Sequence, residues 1–308
     1  MPIKIIRSLA SAHKEIDRLA SRGDFLNKKN ESIVKTIITD VRRNGDRAVK
    51  KYSKKFDSVT QKNLRVPPKE IDRAYRSLSR AHRMLFQRVI KNVRAFHKIE
   101  RKKSWIKKMG HCRLGERITA VSSVGIYIPG GLAPLVSSVF MTVIPAQAAG
   151  VKKIIVTSPP AYKGRVNPII LAALKMLGIR DVFSVGGAQA IAAMAFGTQT
   201  IPRVDKIVGP GNRWVTLAKK AVYGIVDIDM LAGPSEIVIV SGSKGRADFI
   251  ASDLLAQAEH DPMASSILIT NSKHLAANVK KEVTKQLNDL DRTRSIAKKS
   301  LTRWGRIM

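Results

Sequence analysis

Residues 118–151 contain no aspartate, glutamate, lysine or arginine, although charged residues make up 26% of the chain. A stretch this apolar belongs inside a protein core or a lipid bilayer. Pro129, Gly130, Gly131, Pro134 and Pro145 interrupt it, and Ser137, Ser138 and Gln147 add polar groups. A membrane-spanning helix needs about 20 largely apolar residues in a row, and proline and glycine at this density break one. The stretch therefore reads as buried strand, loop and helix. It forces the chain around it to build layers on both sides.

The sequence on either side supplies those layers. Strand-like runs at 118–124 and 125–128, 153–157, 181–185 and 206–208 alternate with helical runs at 137–149, 168–178, 188–196 and 214–223. A second set follows, with strands at 236–240 and 266–270 and helices at 246–258 and 274–290. Alternation with such short connections predicts doubly wound parallel sheets. A further strand is expected after residue 290, so the second set looks incomplete.

Upstream, residues 1–115 read as helical. Ile33, Ile37, Ile38, Val41, Ala48 and Val49 recur at helical spacing in 31–56. Val66–Pro67–Pro68 marks a break. Residues 69–107 form a second block with apolar Ile71, Ala74, Leu78, Ala81, Leu85, Val89 and Val93. This predicts an N-terminal helical layer.

The formal net charge is +33, and its placement is uneven. Lysines and arginines number 33 in residues 1–120, 13 in 121–270 and 10 in 271–308. Nucleic-acid binding is one reading of such an excess, and solvated helix faces are the other. No nucleic-acid motif accompanies the charge, and aromatic residues make up only 5%, so stacking platforms are scarce. Solvated faces are the preferred reading. The single cysteine, Cys112, excludes a disulfide within the chain and any cysteine-based zinc cluster. The first residues are too charged for the apolar region of a signal peptide. A cytoplasmic protein that does not enter a membrane is expected.

Three glycine-rich turns each follow a predicted strand and precede a predicted helix: Ile128–Pro129–Gly130–Gly131, Gly186–Gly187–Ala188–Gln189 and Gly209–Pro210–Gly211–Asn212. Glycine lets a ligand approach the backbone, and a helix N-terminus offers free N–H groups. None matches the G-x-G-x-x-G fingerprint. Singly each is an ordinary turn, whereas three on one sheet point to a binding edge at the carboxyl ends of the strands. A fourth turn, Gly233–Pro234–Ser235–Glu236, offers Ser235 for substrate hydrogen bonding or capping, without the elbow of a serine nucleophile.

Gln257 and His260 stand three residues apart, so on a helix both lean over one face. They are candidate metal ligands, but zinc takes four ligands, or three with an open position. A solvent-facing histidine accounts for the spacing equally well. Glu259 and Asp261 offer acids or supporting partners on other faces.

In this order the turns resemble histidinol dehydrogenases. The resemblance is carried by GIYIPGG (125–131), SSVFMTVIPAQAAGV (137–151), VGGAQAIAAMAFGTQTIPRVDKIVGPGN (185–212), IDMLAGPSE (228–236) and DLLAQAEHDP (253–262). It implies NAD-dependent oxidation of L-histidinol to L-histidine through the aldehyde, with a zinc ion that orients the substrate. It places Tyr127, Gln189 and Asn212 at NAD. Ser235, Gln257 and His260 fall on substrate contacts, and Gln257 and His260 also on two zinc ligands. It implies two Rossmann-like domains, 26–124 plus 236–308 and the NAD-binding 125–235, behind an N-terminal helical segment 1–25, and a homodimer in the complete form.

The chain departs from the family downstream. The resemblance implies a catalytic Glu-His pair and two further zinc ligands, an aspartate and a histidine. After Pro262 this chain has one histidine, His274, and no such pair. The expectation is a C-terminally truncated chain, its first domain left incomplete, inactive alone or complemented by a separate C-terminal piece. A basic non-enzymatic binding protein on the same scaffold is the alternative.

Overall fold

The computed structural model describes residues 3–20, 28–130, 135–231, 235–290 and 293–308. Gly131 of the first glycine turn and Gly233 and Pro234 of the fourth lie outside them. The chain forms two compact units, Met1–Leu26 with Ala232–Met308, and Asn27–Leu231. The first begins with β1 (Lys4–Ile5) and α1 (Leu9–Ala20).

The second unit opens with three helices: α2 (Lys28–Asp57), α3 (Pro68–Ser77) and α4 (Arg80–Ile99). The spacing predicted for α2 holds, since Ile37, Ile38, Val41, Ala48 and Val49 are buried. Its axis breaks at Gly45, at φ 50° and ψ −131°. The Gln199 side chain fills that break and accepts from the Asp46 N–H at 2.8 Å. The expected single block at 69–107 is two helices. Pro68 starts the first, and Ser79 caps the second by accepting from the His82 N–H at 3.2 Å.

A hairpin stands where helix was expected: β2 (Trp105–Met109) and β3 (Cys112–Glu116) pair antiparallel through the Gly110–His111 turn. Both strands are exposed along their whole length, so no buried face marks them in the sequence. Two-residue turns need positive φ, which Gly110 provides at 60°.

The rest of this unit is β4 (Ser123–Tyr127), α5 (Val136–Ala148), β5 (Lys153–Ser158), α6 (Pro168–Met176), β6 (Val182–Ser184), α7 (Gly187–Phe196), β7 (Lys206–Val208), α8 (Arg213–Val222) and β8 (Asp227–Ile228). All five strands are parallel, in the order β6-β5-β4-β7-β8. That order reverses direction beside β4, as in doubly wound dinucleotide-binding sheets.

Helices cover both faces. Val124, Ile126 and Val156 pack with α3 to α6 through Ile71, Phe86, Phe140 and Leu171. Tyr127, Ile155 and Ile207 pack with α2, α7 and α8 through Val41, Ile191 and Leu217. Burial on both faces explains why β4 reads as an unbroken apolar run.

The first unit resumes with β9 (Glu236–Val240), α9 (Ala247–Ala258), β10 (Ser265–Ile269), α10 (Lys273–Asn288), α11 (Arg294–Trp304) and β11 (Arg306–Ile307). Its four parallel strands run β1-β11-β10-β9. Leu254, Leu255, Val279, Val283 and Leu301 of its helices bury Leu268 and Ile307. The strand expected after residue 290 comes only after α11, as β11, and it sits inside the sheet between β1 and β10.

This division differs from the expected one, which placed 26–124 with 236–308 and set 1–25 apart. Residues 27–124 belong to the second unit because α2, α3 and α4 bury their apolar faces on the helices of the five-stranded sheet. Residues 4–5 belong to the first because β1 pairs with β11.

Candidate functional site

Four turns converge at the carboxyl ends of the second unit's strands. A β-carbon built on Gly209 would lie 2.2 Å from the Tyr127 carbonyl oxygen, one on Gly186 would lie 2.5 Å from Pro159 Cβ, and one on Gly130 would lie 3.3 Å from Ser158 Oγ. The Gly187 N–H donates to the Tyr127 hydroxyl at 3.3 Å, which joins the β4 turn to the β6 turn. Burial pushes the Tyr127 hydroxyl up to about 12, against the lowering effect of the Gly187 N–H, so it is a neutral donor at physiological pH.

Several buried polar atoms here have no hydrogen-bond partner among the described residues. They are Gln189 Oε1, Ser158 Oγ, Gln61 Oε1 and Asp57 Oδ2. Gln189 is 1% exposed and Ser158 is fully buried. Leaving a buried polar atom unpaired costs about 1–3 kcal/mol, so four in one place mark a surface that expects a ligand. The first turn of α7 also has no side-chain cap. Close glycines, an uncapped helix N-terminus and unpaired polar atoms along the carboxyl edge of the sheet fit a dinucleotide.

The β7 turn is held from below. Lys219 is 2% exposed. It pairs with Asp229 and donates to the Gly209 carbonyl at 3.1 Å, while Asp229 accepts from the Gly209 N–H at 2.8 Å. Asn212 caps α8 by accepting from the N–H groups of Trp214 and Val215 at 3.1 and 3.2 Å. Its exposed amide keeps the Nδ2 donors for a ligand.

Asp57, Gln61, Ser158 and Ser184 were not foreseen. Residues 64–66 lie antiparallel along β6, with Ser184 N–H to Leu64 O at 2.7 Å. That path brings Asp57 and Gln61 to the site, where Gln61 donates to Ser184 Oγ at 2.8 Å. Ser158 had one signal, a polar residue between a buried strand and Pro159–Pro160. Asp57 and Gln61 had none.

The remaining site residues lie in the first unit, at the amino ends of its strands. Ser235 is exposed just before β9, and its carbonyl accepts from the Ser265 N–H at 3.0 Å. Gln257 closes α9, whereas His260 lies past the helix in a turn, with its N–H on the Gln257 carbonyl at 3.3 Å. Glu259 keeps helical backbone angles, φ −75° and ψ −15°, so the turn tightens the last helical turn and keeps the two residues three apart on it. Gln257 Nε2 is buried without a partner, and His260 is exposed. Glu259 accepts from Thr293 Oγ1 at 2.9 Å and Asp261 from the Met263 N–H at 2.7 Å, so both brace the turn. No cluster of three or more histidine, cysteine or acidic side chains suited to a metal occurs among the described residues. Gln257 and His260 fit part of a zinc site and are too few to hold the ion alone. No described helix is long and apolar enough to cross a membrane.

A five-stranded parallel sheet with this order and this edge defines a Rossmann-like α/β protein. The histidinol dehydrogenase family model matches residues 20–308. The chain is 45% identical over 305 residues to histidinol dehydrogenase of Bacillus cereus, covering 98% of this chain and 70% of the relative. The Aquifex aeolicus relative is 44% identical, with 96% and 68% covered, and that of Bacillus subtilis 46%, with 90% and 65% covered. The crystal structure of histidinol dehydrogenase from Elizabethkingia anophelis superposes with a TM-score of 0.89 at 36% identity, covering all of this chain and 70% of that one. The chain belongs to the histidinol dehydrogenase family, a family of oxidoreductases. It spans about two thirds of the length of these relatives.

Proposed function

We propose that the chain carries the NAD-binding edge and two of the zinc- and substrate-binding residues of an enzyme that oxidises L-histidinol to L-histidine. The alcohol loses a hydride and a proton to give the aldehyde. Water adds to the aldehyde, and the hydrate then loses a second hydride and proton to give the acid, so two hydrides in all must be accepted. NAD, when bound, supplies the hydride acceptor.

The chain's own residues supply binding and orientation. The Gly209 and Gly187 turns admit the cofactor to the backbone. Gln189, Ser158 and the Asn212 amide offer hydrogen bonds to it, and neutral Tyr127 sets the spacing of two of the turns. Gln257 and His260 are the chain's contribution to a zinc ion that orients the substrate, and Ser235 is a substrate contact. With the remaining ligands, a cytoplasmic homodimer is the form this reading favours.

The observation that carries the reading is the buried, unpaired Gln189 Oε1 in the first turn of α7, at the carboxyl end of the sheet's strands. Titration of the purified chain with NADH, read by its fluorescence, is expected to show saturable binding. Gln189→Ala is expected to weaken it roughly tenfold, the scale of one buried hydrogen bond. Affinity that survives both Gln189→Ala and Asn212→Ala unchanged would overturn the assignment. His274, the one histidine after Pro262, bonds to Asn278 at 2.9 Å on α10. The 308-residue chain alone is therefore expected to bind NADH and to give no histidinol-dependent rise at 340 nm. A clear rise refutes that part.

A further inference from the structure

The first unit holds an open cleft of about 1100 Å³, walled by β1, α1, α11 and β11. Of the eleven described residues that line it, seven are lysine or arginine and one, Glu15, is acidic. That carboxylate is already shared, by Arg18 at 3.0 Å and Arg306 at 2.9 Å. Arg306 is 2% exposed and donates also to the Gly305 carbonyl at 2.6 Å. Glu15 thus touches both guanidiniums at the base, and the exposed Lys4, Lys298, Lys299 and Arg303 ring the opening. A concave surface lined by one sign of charge focuses its field and draws counter-ions.

We infer that this cleft binds a short polyphosphate chain, either free or carried on a nucleotide. Its volume lies just above the usual range of small-ligand pockets, roughly 300–1,000 Å³, and is too large for a single phosphate. Among the described residues the lining contains no aromatic side chain. Trp304 beneath it is 8% exposed and covered by the guanidiniums of Arg18 and Arg303, 5.0 and 5.7 Å from its ring. Single-stranded nucleic acids are held by stacking on exposed rings, and this site's described lining offers none. The chemistry it does offer is fixed and mobile cations for closely spaced phosphates. The site is separate from the dinucleotide edge of the second unit and does not depend on that assignment.

Calorimetric titration of the full chain at about 0.15 M salt, where distant charges are screened, tests this. The probes are inorganic tripolyphosphate, ATP, adenosine and a single-stranded RNA. Tripolyphosphate is expected to bind and adenosine not to bind. ATP equal to tripolyphosphate indicates a free chain as the ligand, and tighter ATP a nucleotide. The doubly charge-reversed variant K298E/K299E is expected to lose at least roughly tenfold in affinity. The same reversal at exposed Lys102 and Lys103 of the other unit is expected to change it by less than about twofold. Equal losses in the two variants would reduce the effect to diffuse net charge and overturn the site. So would RNA binding without tripolyphosphate binding.

Discussion

A β-carbon on Gly209 would stand 2.2 Å from the carbonyl oxygen of Tyr127. The two residues end neighbouring strands, β4 and β7, at the point where the sheet order reverses. Gly209 also holds φ at +120°, where side chains are strained. Gly209→Ala is expected to destabilise the second unit by about 2–4 kcal/mol, from overpacking against backbone plus strain. Urea unfolding followed by circular dichroism measures it, and an unchanged midpoint would refute the close approach.

Lys219 and Asp229 make an asymmetric pair, with side chains 3% and 28% exposed. Removing the acid strands a buried ammonium, whereas removing the lysine leaves a carboxylate that still accepts from Gly209 and Met230. Asp229→Ala is therefore expected to cost about 3–5 kcal/mol, and Lys219→Met distinctly less. Equal losses in the same unfolding experiment would contradict the asymmetry.

Tyr127 predicts an alkaline signature. Burial raises its hydroxyl from 10.0 to about 12. The folded protein holds this proton more tightly than the unfolded chain, so the stability it contributes is complete below pH 10 and is lost as pH climbs through 12. Ultraviolet titration of phenolate is expected to show a late phase near 12 that Tyr127→Phe removes. A full set of tyrosines ionising near 10 would count against the burial.

Asp57 is raised by burial from 3.8. Its sign is that of a carboxyl favoured in the neutral form: its contribution is full below 3.8 and lost as pH rises through the folded value. Asp57→Asn is expected to stabilise the chain at pH 7 relative to wild type, with the gain shrinking toward pH 4. Guanidinium midpoints at the two pH values decide it, and a loss at pH 7 would show a cationic partner for the carboxylate.

Much of this was legible in the sequence, for definite reasons. Residues 206–208 and 236–240 were placed as strands to the residue because apolar runs end there at Gly209 and begin beside Pro234. The family resemblance, not the turns themselves, singles out Tyr127, Gln189 and Asn212, and the structure puts the glycine turns beside them on one edge. The 105–116 hairpin was missed because exposure of both faces leaves no burial period to detect. Asp57 and Gln61 reach the edge through a tertiary path along β6, which no local pattern records. His260 sits in the tightened turn that closes α9, where its N–H bonds to the Gln257 carbonyl three residues earlier, so the helical spacing of the two extends to the helix end.

The place of β11 has a consequence for biosynthesis. Residues 306–307 pair on one side with residues 4–5 and on the other with 267–268. The four-stranded sheet therefore cannot close until residues 306–307 have left the ribosome, while 27–231 are already free to fold. Its first strand waits, unpaired, until then. Pulsed proteolysis of stalled nascent chains would see 27–231 resist cleavage first, and the four-stranded unit only once residues 306–307 have emerged.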